Sequence, residues 1–307
     1  MFDLRYHVAS LAAVFLALAV GILLGVAISG KVGDAEESFR SAEVARLSDR
    51  LREEQERAVG ARQRGEAAEE LLEGVYPALM EDRLAERRFA LVFLGPVSGR
   101  ARSAVERTLS DAGSGDPARM VALDVPLNVE ELDESLLADE ELAAYAEEGD
   151  DFSTLGEDLG DELVAGGETP LWSALSFLLV EERAGTSALE VDGAIVVRSW
   201  LAPPTEDVEE ADRVRATGSL LDGLLRGIEG TGFPVVGVEA ATSDESTIDD
   251  YRRLGISSID NVDTLAGRLA LALLLAGGQP GHYGVKDSAS DGVMPPIESV
   301  PPPETGA

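Results

Sequence analysis

The feature that most constrains this chain is a run from Val8 to Gly30 without a single charged residue. As a helix rising about 1.5 Å per residue it spans roughly 34 Å, enough for a hydrocarbon core of about 30 Å. Phe2 and Tyr6 precede it as interfacial aromatics do, and Arg5 and Lys31 flank it. The run therefore predicts a transmembrane anchor over residues 1–33. A cleaved signal peptide is the rival, since Ala27-Ile28-Ser29 is a tolerable small-x-small site. The run is longer than the usual apolar region of about 7–15 residues, which favours an uncleaved anchor. Flanking charge is nearly balanced. Because long domains translocate largely regardless of charge, the expected topology is single-pass, with a short tail inside and the large C-terminal domain outside the cytoplasm.

Ala9, Ala13, Ala17, Gly21, Gly25 and Ser29 recur every four residues in this run, and Gly21 to Gly25 is a G-x-x-x-G. Small residues at that spacing let helix backbones approach closely. Ala13, Ala17, Gly21 and Gly25 are thus the expected helix–helix interface. Residues 34–88 are rich in Glu, Arg, Ala and Leu and read as a helical stalk. A heptad seam runs through Val44, Leu47, Leu51, Glu54, Ala58, Ala61, Gly65, Ala68, Leu72, Val75 and Leu79. Leu47, Leu51, Leu72 and Leu79 are its strongest positions, and Glu54, two alanines and Gly65 weaken its middle. A helix folded back on the globular domain is the alternative.

From Arg88 the pattern changes. The apolar runs 89–94, 120–125, 194–197 and 234–238, with a shorter one at 256–259, read as strands. Helical stretches at 100–111, 171–184, 209–228, 247–254 and 262–276 alternate with them. The expected class is α/β, a mainly parallel, Rossmann-like sheet flanked by helices over residues 89–280. The loop Gly95-Pro96-Val97-Ser98-Gly99 follows the first strand, where such sheets often hold a phosphate. It matches neither dinucleotide nor P-loop spacing and reads as a turn. Ser246 reads as a helix cap.

Composition narrows the function. With 58 acidic against 25 basic residues the net charge is -33, which excludes nucleic acid as a partner. Lysine occurs only at Lys31 and Lys286, and there is no cysteine. Thiolate catalysis and Cys-based metal sites are thereby excluded. Histidine occurs only at His7 and His282, so His282, between Gly281 and Tyr283-Gly284, is a weak metal candidate. The bland reading of His282 and Tyr283 is that they tie the tail onto the sheet. Met120 to Glu182 holds 19 acidic residues and neither Lys nor Arg. Its centre, about 127–168, is dense in acid and glycine and reads as a solvated, partly disordered insertion. The tail, 281–307, ends in prolines and should be extended. No nucleophile, base and oxyanion set can be assembled, so no enzyme, bound cofactor or small-molecule substrate is expected.

The opening Phe2-Asp3-Leu4-Arg5-Tyr6-His7-Val8-Ala9-Ser10-Leu11, the segment Asp260-Asn261-Val262-Asp263-Thr264-Leu265-Ala266-Gly267 and Gly281-His282-Tyr283-Gly284 resemble the MctB copper-transport family of high-GC Gram-positive bacteria. The order of anchor, stalk and α/β domain is also similar to that family. The resemblance implies copper homeostasis or transport at the cell envelope, with copper as the transported ion. Similar SteB-like proteins imply the alternative, a scaffold for envelope growth or division. Either implies a membrane-bound chain working as a homodimer or beside a second envelope membrane protein.

Overall fold

The computed structural model describes residues 4–146, 149, 151–186, 189–243 and 245–297; for 4–9, 27–42 and 45 it describes the backbone only. The elements run α1 (Leu4–Met80), β1 (Ala90–Leu94), α2 (Gly99–Asp111), β2 (Arg119–Leu123), α3 (Val129–Ala138), α4 (Ala143–Ala146), α5 (Ser153–Ala165), α6 (Pro170–Leu179), β3 (Val180–Gly185), β4 (Ala194–Arg198), α7 (Val208–Gly230), β5 (Val235–Val238), α8 (Ile248–Arg253), β6 (Ser257–Ile259), α9 (Leu265–Leu275) and β7 (His282–Tyr283). Two compact units result, 1–68 and 69–307.

The first unit is a single helix. Residues of high helix propensity dominate it beyond the apolar run. Exposed pairs such as Arg57 with Glu53 and Glu54 support it by a few tenths of a kcal/mol each. Among the described residues no helix is long and apolar enough to cross a membrane. The expected span, 8–30, lies in part outside the described side chains.

The second unit is a seven-stranded sheet in the order β3-β2-β1-β4-β5-β6-β7. Every pairing is parallel except β2 with β3. Strand direction of travel reverses between β1 and β4, so the topological switch point lies there. Alternate strand residues supply two cores. Ala90, Val92, Leu94, Val121 and Val196 face α3, α5, α6, α7 and α8, and Leu91, Phe93, Ala122, Ile195 and Val236 face α2 and α9. The end of α1 joins the second core through buried Tyr76 and Met80.

Three expectations are corrected. The described residues of the acidic stretch 127–168 build α3, α4 and α5, two of them with buried faces, and are part of the fold, not a solvated insertion. Asn128 caps α3, and Phe152, Leu155, Leu159 and Leu163 are buried. Glu130, Glu131, Glu134, Glu157 and Asp161 are exposed on the outer faces of helices whose inner faces are leucine, and Glu162 accepts from the amides of Leu171 and Trp172 at the start of α6. Gly156 and Gly160 of α5 meet Gly223 and Gly227 of α7 so closely that a Cβ at Gly227 would lie 2.0 Å from the Glu157 carbonyl oxygen. The helix expected over 171–184 stops at Leu179, and 180–185 forms the antiparallel edge strand β3. Its outward Glu181, Glu182 and Arg183 suit an unpaired edge. Finally, the tail is not simply extended. Residues 282–283 add a strand to the sheet, and Pro295 is buried. The proline cluster beyond 297 lies outside the described residues.

Candidate functional site

In a sheet of this topology ligands bind beyond the carboxyl ends of the strands, at the switch point. Here that position is largely filled by the chain itself. Gly95 follows β1 at φ +114, where L side chains rarely sit, and a Cβ there would lie 2.8 Å from both Cβ and N of Trp200. The amides of Ser199 and Trp200 both donate to the Leu94 carbonyl, and the Ser199 hydroxyl donates to Pro96 O at 2.6 Å. The first loop is thus a turn stitched to the end of β4. Ser98 caps α2 by accepting from the Ala101 amide at 3.4 Å.

What remains is a cleft of about 420 Å³ at the carboxyl ends of β1, β4 and β5, bordered by Ser98, Arg198, Ser199, Glu239, Ser243 and Thr247. Arg198 is held between Asp222 at 3.4 Å and Asp250 at 3.6 Å. Glu239 follows β5 and is buried. It accepts from the Thr247 amide at 2.8 Å and the Ser246 hydroxyl at 3.0 Å, and its carboxylate meets the Lys286 ammonium at 2.8 Å. Lys286 Nζ also donates to Ser243 O at 3.1 Å. Ser246 thus serves Glu239 and also accepts from the Ile248 amide at 3.4 Å at the start of α8, one residue before the N-cap position, which Thr247 holds with no side-chain cap bond. Arg198 and Glu239 are thus each paired with opposite charge, while Glu245 at the rim of the cleft is exposed.

The two C-terminal motifs meet each other. Asp260, fully buried at the end of β6, accepts from the amides of Val285 at 2.7 Å and Lys286 at 2.9 Å. Gly284 passes directly over it: a Cβ there would lie 1.9 Å from Asp260 Oδ1, and its φ of +149 also favours glycine. Asp263 accepts from the Ala241 amide at 2.7 Å, and Thr264 caps α9. His282 lies on the edge strand β7. Its amide donates to Asp291 at 2.8 Å, and its Nδ1 is 2.8 Å from the Ser258 hydroxyl. Burial, with help from the Arg252 charge, holds the imidazole below its ordinary pKa; Asp291 and Asp249 oppose this. The His282 amide and the Ser290 hydroxyl in turn hold Asp291 below the usual carboxylate range. Tyr283 is buried, and its hydroxyl donates to Gln279 O at 3.1 Å. The motif thus ties the tail to the sheet.

Copper(I) prefers thioether and thiolate donors, and copper(II) prefers imidazole. Met80 and Met120 are buried in the core, and Met294 packs against it. Among the described residues no group of three or more His, Cys, Asp or Glu could hold a metal ion. His282 therefore stands without co-ligands of its own type.

The expected interaction residues lie elsewhere. Ala13, Ala17, Gly21 and Gly25 are exposed on α1, with nothing within 4 Å of a Cβ at either glycine. Leu47 and Leu51 are 57% and 61% exposed. Leu72 and Leu79 differ: they pack against the domain's own core beside Tyr76 and Met80. The heptad shares its spacing with the stripe that docks the helix end, so sequence alone did not separate the two. The Asp260–Gly284 and Glu239–Lys286 contacts were not foreseen. Their one sequence signal was the glycine pair bracketing His282-Tyr283.

Comparison with curated proteins gives no match. A family model described as copper transport outer membrane protein, MctB, matches residues 1–295, which include the opening run, the Asp260–Gly267 segment and the Gly281–Gly284 segment. With nearly its whole length covered, the chain belongs to the MctB family.

Proposed function

We propose that the chain is a membrane-anchored, non-enzymatic component of copper homeostasis or transport at the cell envelope. The observation that carries this reading is the family match over residues 1–295. The uncharged run within α1 is long enough to anchor it, with the α/β domain outside the cytoplasm. One helix encloses no pore, so conduction requires an assembly, either a homodimer or a complex with a second envelope membrane protein. The exposed Val44, Leu47 and Leu51 of the stalk and the small-residue stripe of α1 are the surfaces for it. The pairing of Arg198 and Glu239 with opposite charge in the carboxyl-end cleft supports a role without catalysis.

Copper is cargo in this reading, and the domain itself holds it weakly. Titration of the full chain in detergent against a copper(I) chelator should leave the metal on the chelator. The function is tested by deleting the gene. The deletion strain should show altered copper tolerance and altered cell-associated copper, both restored by the full chain. Unchanged copper handling, with a defect in shape or division instead, refutes the copper role and favours a scaffold.

A further inference from the structure

Phe177 is the one exposed aromatic side chain of the α/β domain among the described residues, 72% exposed on α6. The inner face of that helix is already committed, with Leu171, Trp172, Leu175 and Leu179 buried. Ala174, Phe177 and Leu178 follow at i, i+3 and i+4 and share a second face. Ala174 and Leu178 lie half-buried at the border of the core, and Val180 continues the same apolar strip into β3. Phe177 is therefore the exposed end of a continuous apolar surface and not an isolated residue.

α6 runs without a linker into β3, the end strand of the sheet. The Thr186 amide just beyond β3 donates to the Ala118 carbonyl, and Ala184 and Glu182 stand opposite Met120 and Ala122. Residues of an antiparallel ladder alternate between bonding the partner strand and facing away from it. The N–H and C=O of Arg183 are thereby turned outward, where no further strand pairs.

Charge decides what can occupy this edge. Residues 69–307 hold 48 acidic against 16 basic residues, and 120–182, which runs from β2 through α6 into β3, holds no basic residue. Glu181 and Glu182 are exposed on the edge itself. A second copy would bring the same acidic surface against itself, so these charges work against self-pairing. A segment of opposite charge meets no such barrier.

We propose that the outer face of α6 and the edge of β3 form a docking surface for a basic, extended segment of another protein. The segment adds a strand to β3 through the backbone of Arg183, sets lysine or arginine against the edge carboxylates and seats an apolar side chain on Phe177. Glu182 is already shared with Arg102 at 2.9 Å, so Glu181 carries the larger part of the attraction. The surface uses no residue of the α1 stripe or seam, and its occupancy does not depend on copper.

The test titrates two labelled octapeptides, one alternating lysine and valine and the other alternating glutamate and valine, into the full chain in non-ionic detergent at constant ionic strength. Fluorescence anisotropy should show saturable binding of the lysine peptide and none of the glutamate peptide. Phe177→Ser and Glu181→Lys should each weaken binding by about tenfold or more. Arg183→Pro removes the outward N–H, a change that a sheet edge tolerates, and should abolish binding with the melting temperature near that of wild type. Arg183→Gln keeps the N–H and removes a charge that repels the peptide, so it should bind at least as tightly as wild type. Glu209→Lys makes the same charge change at an exposed site on α7 and should alter affinity by less than about twofold, because a distant exposed charge is screened. A benzophenone side chain placed at Phe177 in cells then identifies the occupant, expected to be a basic segment of another protein. An adduct to a second copy of this chain or to lipid overturns the proposal. So does equal binding of the two peptides, or a Phe177→Ser variant that binds as wild type does.

Discussion

The contact between α5 and α7 allows a test in which two identical substitutions on one helix act with opposite sign. At Gly227 an added methyl group would sit 2.0 Å from the Glu157 carbonyl oxygen and 2.9 Å from its carbon. Both neighbours are backbone, so no rotamer change relieves the clash, and the helices must separate by more than 1 Å at van der Waals contact of roughly 3.2 Å. Such overpacking costs about 3 kcal/mol, at the upper end of the usual range. Alanine returns about 1 kcal/mol of helix propensity. Gly227→Ala should therefore destabilise the domain by about 2 kcal/mol. Gly218 lies on the same helix, with nothing within 4 Å of a Cβ. There only the propensity remains, and Gly218→Ala should stabilise by about 0.5–1 kcal/mol. Trp172 is a built-in probe: it is buried, and its indole donates to Leu159 O of α5 at 2.9 Å. Urea unfolding followed by tryptophan emission reads both variants. If Gly227→Ala is as stable as wild type, the backbone contact is not the source of the α5–α7 packing and the argument fails.

Other expectations follow from the carboxyl end of the sheet and from α1. Lys286→Met strands the Glu239 carboxylate, which is 5% exposed, and should cost about 3 kcal/mol; Glu239→Gln added to it should recover much of the loss, as denaturation midpoints would show. His282 has a lowered folded-state pKa, so the folded state binds fewer protons than the unfolded state just below pH 6.5. Its contribution is fully present above that pH and is lost as pH falls through the folded pKa. His282→Asn should flatten this part of the stability–pH profile, and an unchanged profile would show that the imidazole does not titrate between the two states. Leu79→Ala should destabilise the domain by about 2 kcal/mol, because its side chain packs against the core. Leu47→Asp with Leu51→Asp should leave the domain's melting temperature unchanged while reducing crosslinked dimer, and equal crosslinking would remove these residues from any interface.

The central strands were legible because burial on both faces demands unbroken apolar runs, as in 90–94 and 194–198. The helices at 99–111 and 208–230 were legible from their period and polar starts. α5 was hidden by the residues that make its contact. Gly156 and Gly160 lower helix propensity, yet they are what lets α7 approach; the spacing of Leu155, Leu159 and Leu163 was the signal beneath them. β3 was hidden because an edge strand with both faces wet carries charges, and Glu181-Glu182-Arg183 continues a helical stretch without a break. Of the candidate site residues, His282 was placed at the sheet edge by the glycines around it. The partners of Asp260 and Glu239 were out of reach, because Lys286 lies 47 residues from Glu239 along the chain.

The docking of residues 281–292 on β6 makes the sheet depend on a segment near the end of the chain. A chain cut at residue 280 would leave the outer edge of β6 with unpaired backbone groups and a buried carboxylate at Asp260 without its two amides. That species is the form most exposed to edge-to-edge association. A protease cutting there would open the sheet, and loss of this short segment should mark the protein for clearance well before its core unfolds.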